Sequence, residues 1–575
     1  MSTSARSATE TASAYPVRVE RDVPAAMRDG TVLRADIYRP AALGPFPVLL
    51  CRTPYDKLRN HTVDIAERAA ARGYIVVAQD IRGRCASDGQ FFPLYSPDHT
   101  DQADGYDTVE WAATLPGSTG KVGTWGVSYN SWTQWQLAVT RPPHLVAMFP
   151  TGLSTSSLDC WPGVYRVDRQ LQWLYYTLSP DLRRRLGLPG PHTVAEAQTI
   201  WDLERGKWIW YLPLGQLPSH FLGGMDENHR YHITHHHVDW FRFHEKHAEI
   251  DVPIYHATGW YDRLIGTIDQ YTGMVKNGRT EQARRSQKLL VGPWSHGYDM
   301  RRQVGPIDFG PDADLDYVGA MAPWFDYWLK GIQNGIMAEP PIRMFVMGEN
   351  RWRFEHEWPL ARTTYTDYYL HSGGGANTPF GNGVLSSDPP GEEPVDRYTF
   401  DPRDPVMSIY LPNAQDGPGD QTPLNYRQDV LVFQTPPLES DMEVTGPIVV
   451  KLFAATSAPD TDWTAKLVDV HPSGLALNLT YGIQRARYRE SFAQPSLLRP
   501  GQVYEYTLKL LPTGNLFKAG HRIRLDISSS DFPNFDRNHN TGLDYWDDDT
   551  LAVAHQTVYH DRRYPSRIIL PVIPR

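Results

Sequence analysis

The sequence KVGTWGVSYNSWTQWQ, residues 121–136, joins an apolar strand to a helical stretch through one serine, Ser128. Gly126 leaves room for a sharp turn, and a sharp strand-to-helix turn holds a serine hydroxyl above the sheet with backbone N–H groups beneath it. The G-x-S-x-G pattern of such nucleophile elbows is incomplete, because Asn130 and then Ser131 follow. Asn tolerates a left-handed backbone better than most residues, so we predict a nucleophile elbow at Ser128. A simple turn explains the G-x-S triplet equally well.

A serine nucleophile needs a histidine base and a carboxylate that orients this base. In α/β-hydrolases the acid and then the histidine follow the serine along the chain, each at a strand end. A predicted strand over residues 254–257 leads to Asp262, and another over residues 288–291 leads to His296. Separately, Asp262 fits a helix N-cap, and His296 is one of 21 histidines. Together and in the required order, the three residues predict a Ser128–His296–Asp262 triad.

The sequence before and after the elbow predicts α/β organisation. Short apolar runs that suit strands alternate with stretches of helical spacing. Runs such as PVLLC and YIVVAQD are almost continuously apolar, which is typical of a mostly parallel sheet buried on both faces. The predicted strands cover residues 32–38, 47–51 and 75–79, and the predicted helices cover residues 65–72 and 107–113.

A helical insertion is predicted between about residues 153 and 249, where six tryptophans recur at helical spacing without a convincing strand. We therefore place an α/β-hydrolase domain at residues 1–150 and 246–345 and a helical cap domain at residues 151–245.

The last third of the chain has a different pattern. Pro, Gly, Asp and Asn separate short runs with a period of two, and Ile523, Leu525 and Ile527 alternate with polar residues. This pattern predicts a C-terminal β-sandwich of jelly-roll type over residues 346–575.

Composition excludes several classes of protein. The chain has 575 residues, a net charge of −10 and three cysteines. No overall positive field favours nucleic acid or an anionic membrane surface, and no stretch approaches the roughly 18 apolar residues that span a bilayer. The polar N-terminus lacks the apolar core of a secretory signal, and three cysteines without a C-x-x-C pair argue against a disulfide framework. We predict a cytoplasmic protein that binds neither nucleic acid nor membrane.

Histidines are concentrated between His220 and His247. Histidines four apart on a helix can bind Zn²⁺, but H-E-x-x-H is absent and no cysteine lies nearby. We predict that these histidines lie on a solvated helical face, and we predict no metal and no cofactor.

Short motifs are spread over most of the chain: RTPYDK (52–57), QDIRG (79–83), SDG (87–89), GVSY (126–129), GWYD (259–262), VGPWSH (291–296), GHR (520–522) and FPNFDRN (532–538). In this combination the chain resembles the cocaine esterase family of serine esterases and acylases, which includes α-amino acid ester hydrolases, glutaryl acylases and X-Pro dipeptidyl-peptidases. Ser131 stands where the family usually has Gly. The resemblance implies an α/β-hydrolase domain, a helical cap and a jelly roll, with Ser128 as nucleophile, His296 as base and Asp262 as orienting acid.

The resemblance also implies an oxyanion hole and an acyl pocket. Tyr55 corresponds to the family's oxyanion tyrosine, whose phenol acts with the backbone N–H of Tyr129. Its place just after a strand fits the loop that supplies the second oxyanion donor in this fold. Trp161 and Leu264 align with pocket-lining positions of the family, and Trp173 is a further candidate. An apolar, aromatic-lined cleft favours benzoyl or other hydrophobic acyl groups over charged ones.

We therefore expect a serine hydrolase that cleaves small-molecule carboxylic esters with a bulky apolar or aromatic acyl group through an acyl-enzyme. The alternative is an amide-cleaving relative: a β-lactam acylase, an α-amino acid ester hydrolase or an X-Pro dipeptidyl-peptidase. Aminopeptidase-like members need carboxylates for the substrate's α-ammonium group, and Asp159, Asp226 and Glu227 are available. A remote alternative is a carbohydrate-binding or scaffold protein, because lectin-like modules share the sandwich architecture. A homodimer is left open.

Overall fold

The computed structural model describes residues 15–94, 100–156, 163–235, 238–239, 241–409 and 417–574. The N-terminal part is an α/β domain. Its strands in chain order are β1 (Val17–Ala26), β2 (Val32–Pro40), β3 (Phe46–Thr53), β4 (Ile75–Asp80), β5 (Ser118–Val127), β6 (Leu145–Thr151), β7 (Ile254–Tyr261), β8 (Gln287–Ser295), β9 (Gln303–Val304), β10 (Ile307–Asp308), β11 (Ile342–Val346) and β12 (Arg351–Glu355).

Ten of these strands form one sheet in the order β1-β2-β4-β3-β5-β6-β7-β8-β11-β12, while β9 pairs with β10. Every pair from β4 to β11 is parallel, and the outer pairs are antiparallel. Strands β4 and β7 are buried along their whole length, as the continuous apolar runs predicted. Because parallel strands end at the same edge, the segments that follow β3, β5, β7 and β8 meet there.

Helices cover both faces of the sheet and fill the connection between β6 and β7. The predicted strands are confirmed, and the two predicted helices are confirmed with different ends. The first begins at Asn60, five residues earlier than predicted. The prediction missed its first turn because this turn is polar and lacks the apolar spacing that marks a helix. The helices are α1 (Asn60–Ala70), α2 (Thr100–Ala113), α3 (Tyr129–Ala138), α4 (Val167–Gln172), α5 (Ser179–Leu186), α6 (Val194–Ile209), α7 (Ser219–Leu222), α8 (Asp226–Thr234), α9 (Thr267–Asn277), α10 (Glu281–Arg285) and α11 (Tyr317–Lys330).

In the described residues, five helices, α4 to α8, lie between β6 and β7 and pack around one core, to which Phe532 and Tyr545 of the C-terminal part also contribute. Trp201 and Trp208 are buried in this core, which explains the tryptophan spacing of the segment. A π-helical turn over Trp173–Leu178 links α4 to α5; such turns are frequent at functional sites. Among the helices in the described ranges, none combines the length and apolar character needed to cross a membrane.

The C-terminal part is rich in β-strands, as predicted. Eleven strands form one sheet in the described residues, and most pairs are antiparallel. The domain boundaries, the jelly-roll topology and the cap description stay predictions. The strands are β13 (Thr364–His371), β14 (Val384–Ser386), β15 (Asp396–Phe400), β16 (Leu431–Gln434), β17 (Met442–Thr456), β18 (Asp462–Val470), β19 (Ala476–Arg485), β20 (Tyr504–Phe517), β21 (Arg522–Ser528), β22 (Ala554–Tyr559) and β23 (Arg567–Ile573).

The motif FPNFDRN at residues 532–538 attaches the inserted helices to the C-terminal β domain. The Tyr165 N–H donates to the Asp536 carboxylate and the Asp536 N–H donates to the Tyr165 carbonyl, each over 2.6 Å. The Arg166 guanidinium donates to the Asn534 side-chain oxygen over 2.6 Å, and Arg485 forms a buried ion pair with Asp536. These bonds fix the start of α4, and α4 carries the wall of the candidate site.

Candidate active site

Ser128 lies at the turn between β5 and α3 with φ 62° and ψ −120°. A non-glycine residue in such a sparsely populated conformation costs about 1–3 kcal/mol, and such strain is concentrated at functional sites. The Ser128 N–H donates to the Thr151 carbonyl over 3.0 Å, and the Ser128 carbonyl accepts from the Trp132 N–H over 2.9 Å. A Cβ at Gly126 would lie 2.5 Å from the Asn130 Cβ, so the strand and the helix approach too closely for any other residue.

The tolerance of Asn for a left-handed backbone is not used at this elbow. Asn130 does not adopt a left-handed backbone, because the turn is completed at Ser128 and Asn130 already belongs to α3. Its side-chain amide donates to the Tyr298 hydroxyl over 2.9 Å. Ser131 is fully buried, and its hydroxyl has no hydrogen-bond partner among the described residues. Neither side chain therefore disturbs the turn, and the incomplete G-x-S-x-G pattern still forms an elbow.

Asp262 and His296 lie at the ends of β7 and β8 and are hydrogen-bonded. The Asp262 Oδ1 atom is 2.9 Å from His296 Nδ1 and also accepts the Leu264 N–H over 2.8 Å. An ionised carboxylate only accepts hydrogen bonds, so His296 carries its hydrogen on Nδ1. Its Nε2 atom is left as a proton acceptor, which is the tautomer that a general base requires.

The surroundings of this pair keep Asp262 ionised and His296 neutral. Burial opposes ionisation of Asp262, but the His296 ring, Arg263 and the Leu264 N–H together keep the pKa of its carboxyl below the usual value. Burial lowers the pKa of His296, and the positive charges of Arg263 and Arg169 lower it further. Asp262 opposes this shift without cancelling it. His296 is therefore neutral, and able to accept a proton, at neutral pH.

We expect the acid limb of the kcat/KM profile to have its midpoint below pH 6.5, the ordinary pKa of histidine. The direction follows from the lowered pKa of His296, because the base loses activity only when pH falls through its own pKa. Stopped assays between pH 4.5 and 8.5 test this, and Arg263→Gln should raise the midpoint by removing a repelling charge. A midpoint at or above 6.5 in the unaltered enzyme contradicts the prediction.

Gly152, just after β6, was not singled out by sequence reasoning. Its backbone is left-handed, with φ +57°, and a Cβ there would lie 2.5 Å from Asp262 Oδ2 and 3.1 Å from His296 Nδ1. The Gly152 N–H donates to the Ala257 carbonyl over 2.9 Å. Only glycine leaves room for the Asp262–His296 pair at this point. A glycine after a buried strand was the available signal, but nothing local ties it to residues 110 or more positions away.

A cavity of about 490 Å³ opens over Ser128, within the size range of small-molecule sites. Among the predicted residues it is lined by Ser128, His296, Tyr55, Tyr129, Trp173 and Leu264.

Asp262 lies behind His296, while Trp161 falls outside the described residues. The Trp173 indole N–H donates to the Tyr55 hydroxyl over 3.1 Å, and the Tyr55 and Tyr129 rings meet edge to face. The structure thus brings together the predicted triad, oxyanion-hole and acyl-pocket residues that it describes, but not Asp226 and Glu227.

The prediction that the histidines between residues 220 and 247 lie on a solvated helical face is wrong for two of them. His229 and His247 are buried, and their rings are hydrogen-bonded to the Leu214 carbonyl and to the Gln270 side chain, respectively. Elsewhere among the described residues, two groups of three side chains have ligand atoms within 4.8 Å of one another. These groups are Asp469, His471 and His521, and Asp56, Asp80 and Cys85.

Comparisons with known proteins match both the N-terminal and the C-terminal part of the chain. A family model described as X-Pro dipeptidyl-peptidase (S15 family) matches residues 29–298, and one described as X-Pro dipeptidyl-peptidase C-terminal non-catalytic domain matches residues 334–569. Cocaine esterase from Rhodococcus sp. (strain MB1 Bresler) is 36% identical over 97% of this chain and 99% of its own. Among solved structures, an α-amino acid ester hydrolase is similar with a TM-score of 0.78 at 27% identity, covering 99% of this chain and 100% of its own. An aminopeptidase from a marine sediment Thaumarchaeota archaeon is similar with a TM-score of 0.80 at 25% identity, covering 100% and 99%.

Proposed function

The chain belongs to the cocaine esterase family of serine hydrolases, and we propose that it cleaves carboxylic esters with a bulky apolar or aromatic acyl group through an acyl-enzyme. The observation that carries the proposal is the hydrogen-bonded His296–Asp262 pair, with His296 lining the same cavity as the strained Ser128. A strained serine beside a neutral, oriented histidine suits acyl transfer.

In the proposed reaction, Ser128 Oγ attacks the ester carbonyl carbon while its proton passes to His296 Nε2. The Tyr55 hydroxyl and the Tyr129 N–H donate to the carbonyl oxygen as it becomes negative. When the tetrahedral intermediate collapses, the bond to the alcohol breaks and His296 returns the proton to this leaving group. His296 then takes a proton from a water molecule, whose oxygen attacks the acyl carbon. When this second intermediate collapses, the bond to Ser128 Oγ breaks, His296 returns the proton to Oγ, and the acid is released. Asp262 stabilises the imidazolium that forms in both steps.

The proposed acyl preference rests on the apolar part of the cavity wall. Leu153, Leu174, Phe241 and Leu264 line it together with Trp173, and we also keep Trp161 as a proposed member. The rings of Trp173 and Phe241, with the leucine side chains, favour a benzoyl-like group through burial of its ring. The Trp173–Tyr55 hydrogen bond places this wall directly beside the proposed oxyanion hole.

Ester cleavage is favoured over an aminopeptidase reaction by the charge of the cavity wall. None of the described lining residues is Asp or Glu, whereas binding of a substrate α-ammonium group needs a carboxylate. Asp226 and Glu227 begin α8 and are not among these lining residues. Asp159 falls outside the described residues.

The proposal is tested by pre-steady-state kinetics with 4-nitrophenyl benzoate. We expect a burst of nitrophenol equal to the enzyme concentration, and a benzoyl or fluorophosphonate label on the peptide that contains Ser128. An X-Pro anilide assayed in parallel should be turned over far more slowly. Faster cleavage of the anilide favours the amide-cleaving relatives, while absence of both burst and label favours a non-catalytic protein.

Tyr55→Phe is expected to lower kcat by about 10² to 10³-fold with little change in KM, since one oxyanion donor is typically worth that much. The Tyr55 hydroxyl accepts the Trp173 indole N–H, which leaves its own proton available for the oxyanion. Phenylalanine keeps the ring that packs on Tyr129, so substrate binding should persist. Steady-state kinetics measure both constants, and an unchanged kcat removes Tyr55 from the oxyanion hole.

A further inference from the structure

Among the described residues, the charged groups of the cavity wall share one sign. Its described lining contains four arginines and no carboxylate. Burial lowers the pKa of His61 and of His232 to about 4, so both histidines are neutral near pH 7. The arginines therefore set the field of the cavity. They are Arg59, Arg166, Arg169 and Arg263.

Three of these arginines have evident local roles. Arg166 bonds to Asn534 and Tyr481 and so holds the inserted helices on the C-terminal domain. Arg169 and Arg263 lie close enough to His296 to lower its pKa. The role of Arg166 is structural, and Arg169 and Arg263 act on the pKa of the proposed base. Neither role requires a particular substrate.

Arg59 differs from these three, because its charge acts on no proposed catalytic group and only helps burial to lower the pKa of His61. Its guanidinium carbon lies 5.1 Å from the centre of the Tyr55 ring. Within the described ranges no carboxylate approaches this guanidinium to 4.0 Å, and it donates no hydrogen bond. The nearby Asp56 carboxylate acts on Arg59 only from a longer distance and accepts the Leu58 N–H instead. A partly buried cation without a paired anion is unfavourable in the free protein.

Local helix structure does not explain Arg59 either. The residue is the N-cap of α1, a position where Ser, Thr, Asp and Asn are preferred because their oxygens accept backbone N–H groups. The Arg59 side chain caps nothing, and the first turn of α1 contains no acidic residue. The helix dipole adds partial positive charge at this end. Arg59 and His61 both line the cavity, so this end of α1 faces it with uncompensated positive charge.

We propose that the substrates of this site carry a carboxylate in addition to the scissile ester, and that Arg59 binds this carboxylate. The inference rests on the proposed function and refines it: the acyl or alcohol part is apolar but ends in an anion. The planar guanidinium can donate two parallel hydrogen bonds to a carboxylate. The anion would lie beside Tyr55, within the positive field that also favours the oxyanion.

The experiment uses two pairs of esters, which distinguish the two places where the carboxylate can be. Mono(4-nitrophenyl) terephthalate carries a free carboxylate on the acyl part, which its methyl ester replaces with a neutral ester group. The benzoyl ester of 3-hydroxybenzoic acid carries the carboxylate on the alcohol part, and the benzoyl ester of methyl 3-hydroxybenzoate is its neutral counterpart. For each pair we measure the ratio of kcat/KM for the charged ester to kcat/KM for the neutral ester. We expect this ratio to exceed about 10 for one pair and to fall with added salt, because salt screens such attraction.

In Arg59→Gln the favoured ratio should fall at least about tenfold, as expected when a bidentate charge-assisted pair is lost. Arg59→Lys should retain part of the preference for the charged ester. Arg499→Gln, the same charge change on an exposed arginine of the C-terminal domain, should leave the ratio as it is. Ratios near or below 1 for both pairs, or a ratio that Arg59→Gln does not change, overturn the proposal.

The outcomes also separate this inference from the proposed function. Turnover of the neutral esters with rejection of the charged ones leaves the serine hydrolase proposal intact and removes only the carboxylate specificity. If all four esters and the fluorophosphonate probe fail to react, the proposed function itself fails. Should Arg59→Gln not fold, inhibition of the unaltered enzyme by terephthalate and by the neutral terephthalamide decides the matter. Equal inhibition by both compounds contradicts the proposal.

Discussion

Replacing Ser128 with alanine is expected to lower kcat for 4-nitrophenyl benzoate by about 10⁵ to 10⁶-fold, the size of loss seen when a serine nucleophile is removed. The substitution removes the atom that forms the acyl-enzyme, while the proposed oxyanion donors and the cavity are left in place. The residual rate should still exceed that in water by about 10³ to 10⁴-fold, since binding and oxyanion stabilisation persist. Labelling by a fluorophosphonate should disappear.

Ser131→Ala is the matched control for this loss. Ser131 lies three residues after Ser128, within α3, is fully buried and has no hydrogen-bond partner for its hydroxyl in the described part of the chain. Removing such an unpaired hydroxyl relieves a desolvation penalty of about 1–3 kcal/mol, so Tm should stay the same or rise. Labelling and turnover should persist. Retained turnover in Ser128→Ala, with Ser131→Ala equally active, rejects Ser128 as the nucleophile.

Sequence patterns were sufficient for the parts of the site that depend on local order. An apolar run followed by a polar residue marks the end of a buried strand, and the ends of β5, β7 and β8 come together because the sheet is parallel. Ser128, Asp262 and His296 are therefore predictable from three short segments and their order. The family motifs added Tyr55, which by itself is indistinguishable from a residue in a turn.

The remaining features depend on contacts between distant parts of the chain. Gly152 is needed because β7 and β8 bring Asp262 and His296 against it, and no local pattern contains that information. His229 lies in a polar, histidine-rich sequence but is buried against Leu214. In the sequence, Arg59 follows a turn and begins a helix, where a charged side chain is expected to be exposed. It becomes part of a cavity wall only because residues of the inserted segment, such as Trp173 and Tyr176, line the same cavity.

Contacts between distant parts of the chain also explain the role of the motif FPNFDRN. Residues 532–538 lie more than 400 positions from Ser128, yet their bonds to Tyr165 and Arg166 hold the beginning of α4. The π-helical turn that carries Trp173 follows α4 directly. The C-terminal domain thereby supports the wall that contacts Tyr55, although none of its strands supplies a predicted site residue. The arrangement links a distant β domain to the geometry of the proposed oxyanion hole.

Asp262→Asn is expected to lower kcat by about 10⁴-fold, the effect of the same change in a serine protease triad. The asparagine oxygen can still accept the Leu264 N–H that Asp262 Oδ1 accepts now, so the local backbone should be preserved. What disappears is the buried negative charge that balances the imidazolium formed at His296 in each step. A desolvated charge of this kind is worth far more than an exposed one.

The pH profile separates this explanation from simple misfolding. Asp262 raises the pKa of His296 against the opposing effects of burial and Arg263, so its neutralisation should move the acid limb of kcat/KM to still lower pH. A protein that is only partly folded would lose kcat/KM at every pH, and the midpoint of its acid limb would stay where it is. Asp549→Asn, which changes an exposed carboxylate, should leave both rate and midpoint as they are. If Asp262→Asn loses less than about tenfold, or its acid limb moves upward, the carboxylate does not support the base in the way that a triad requires.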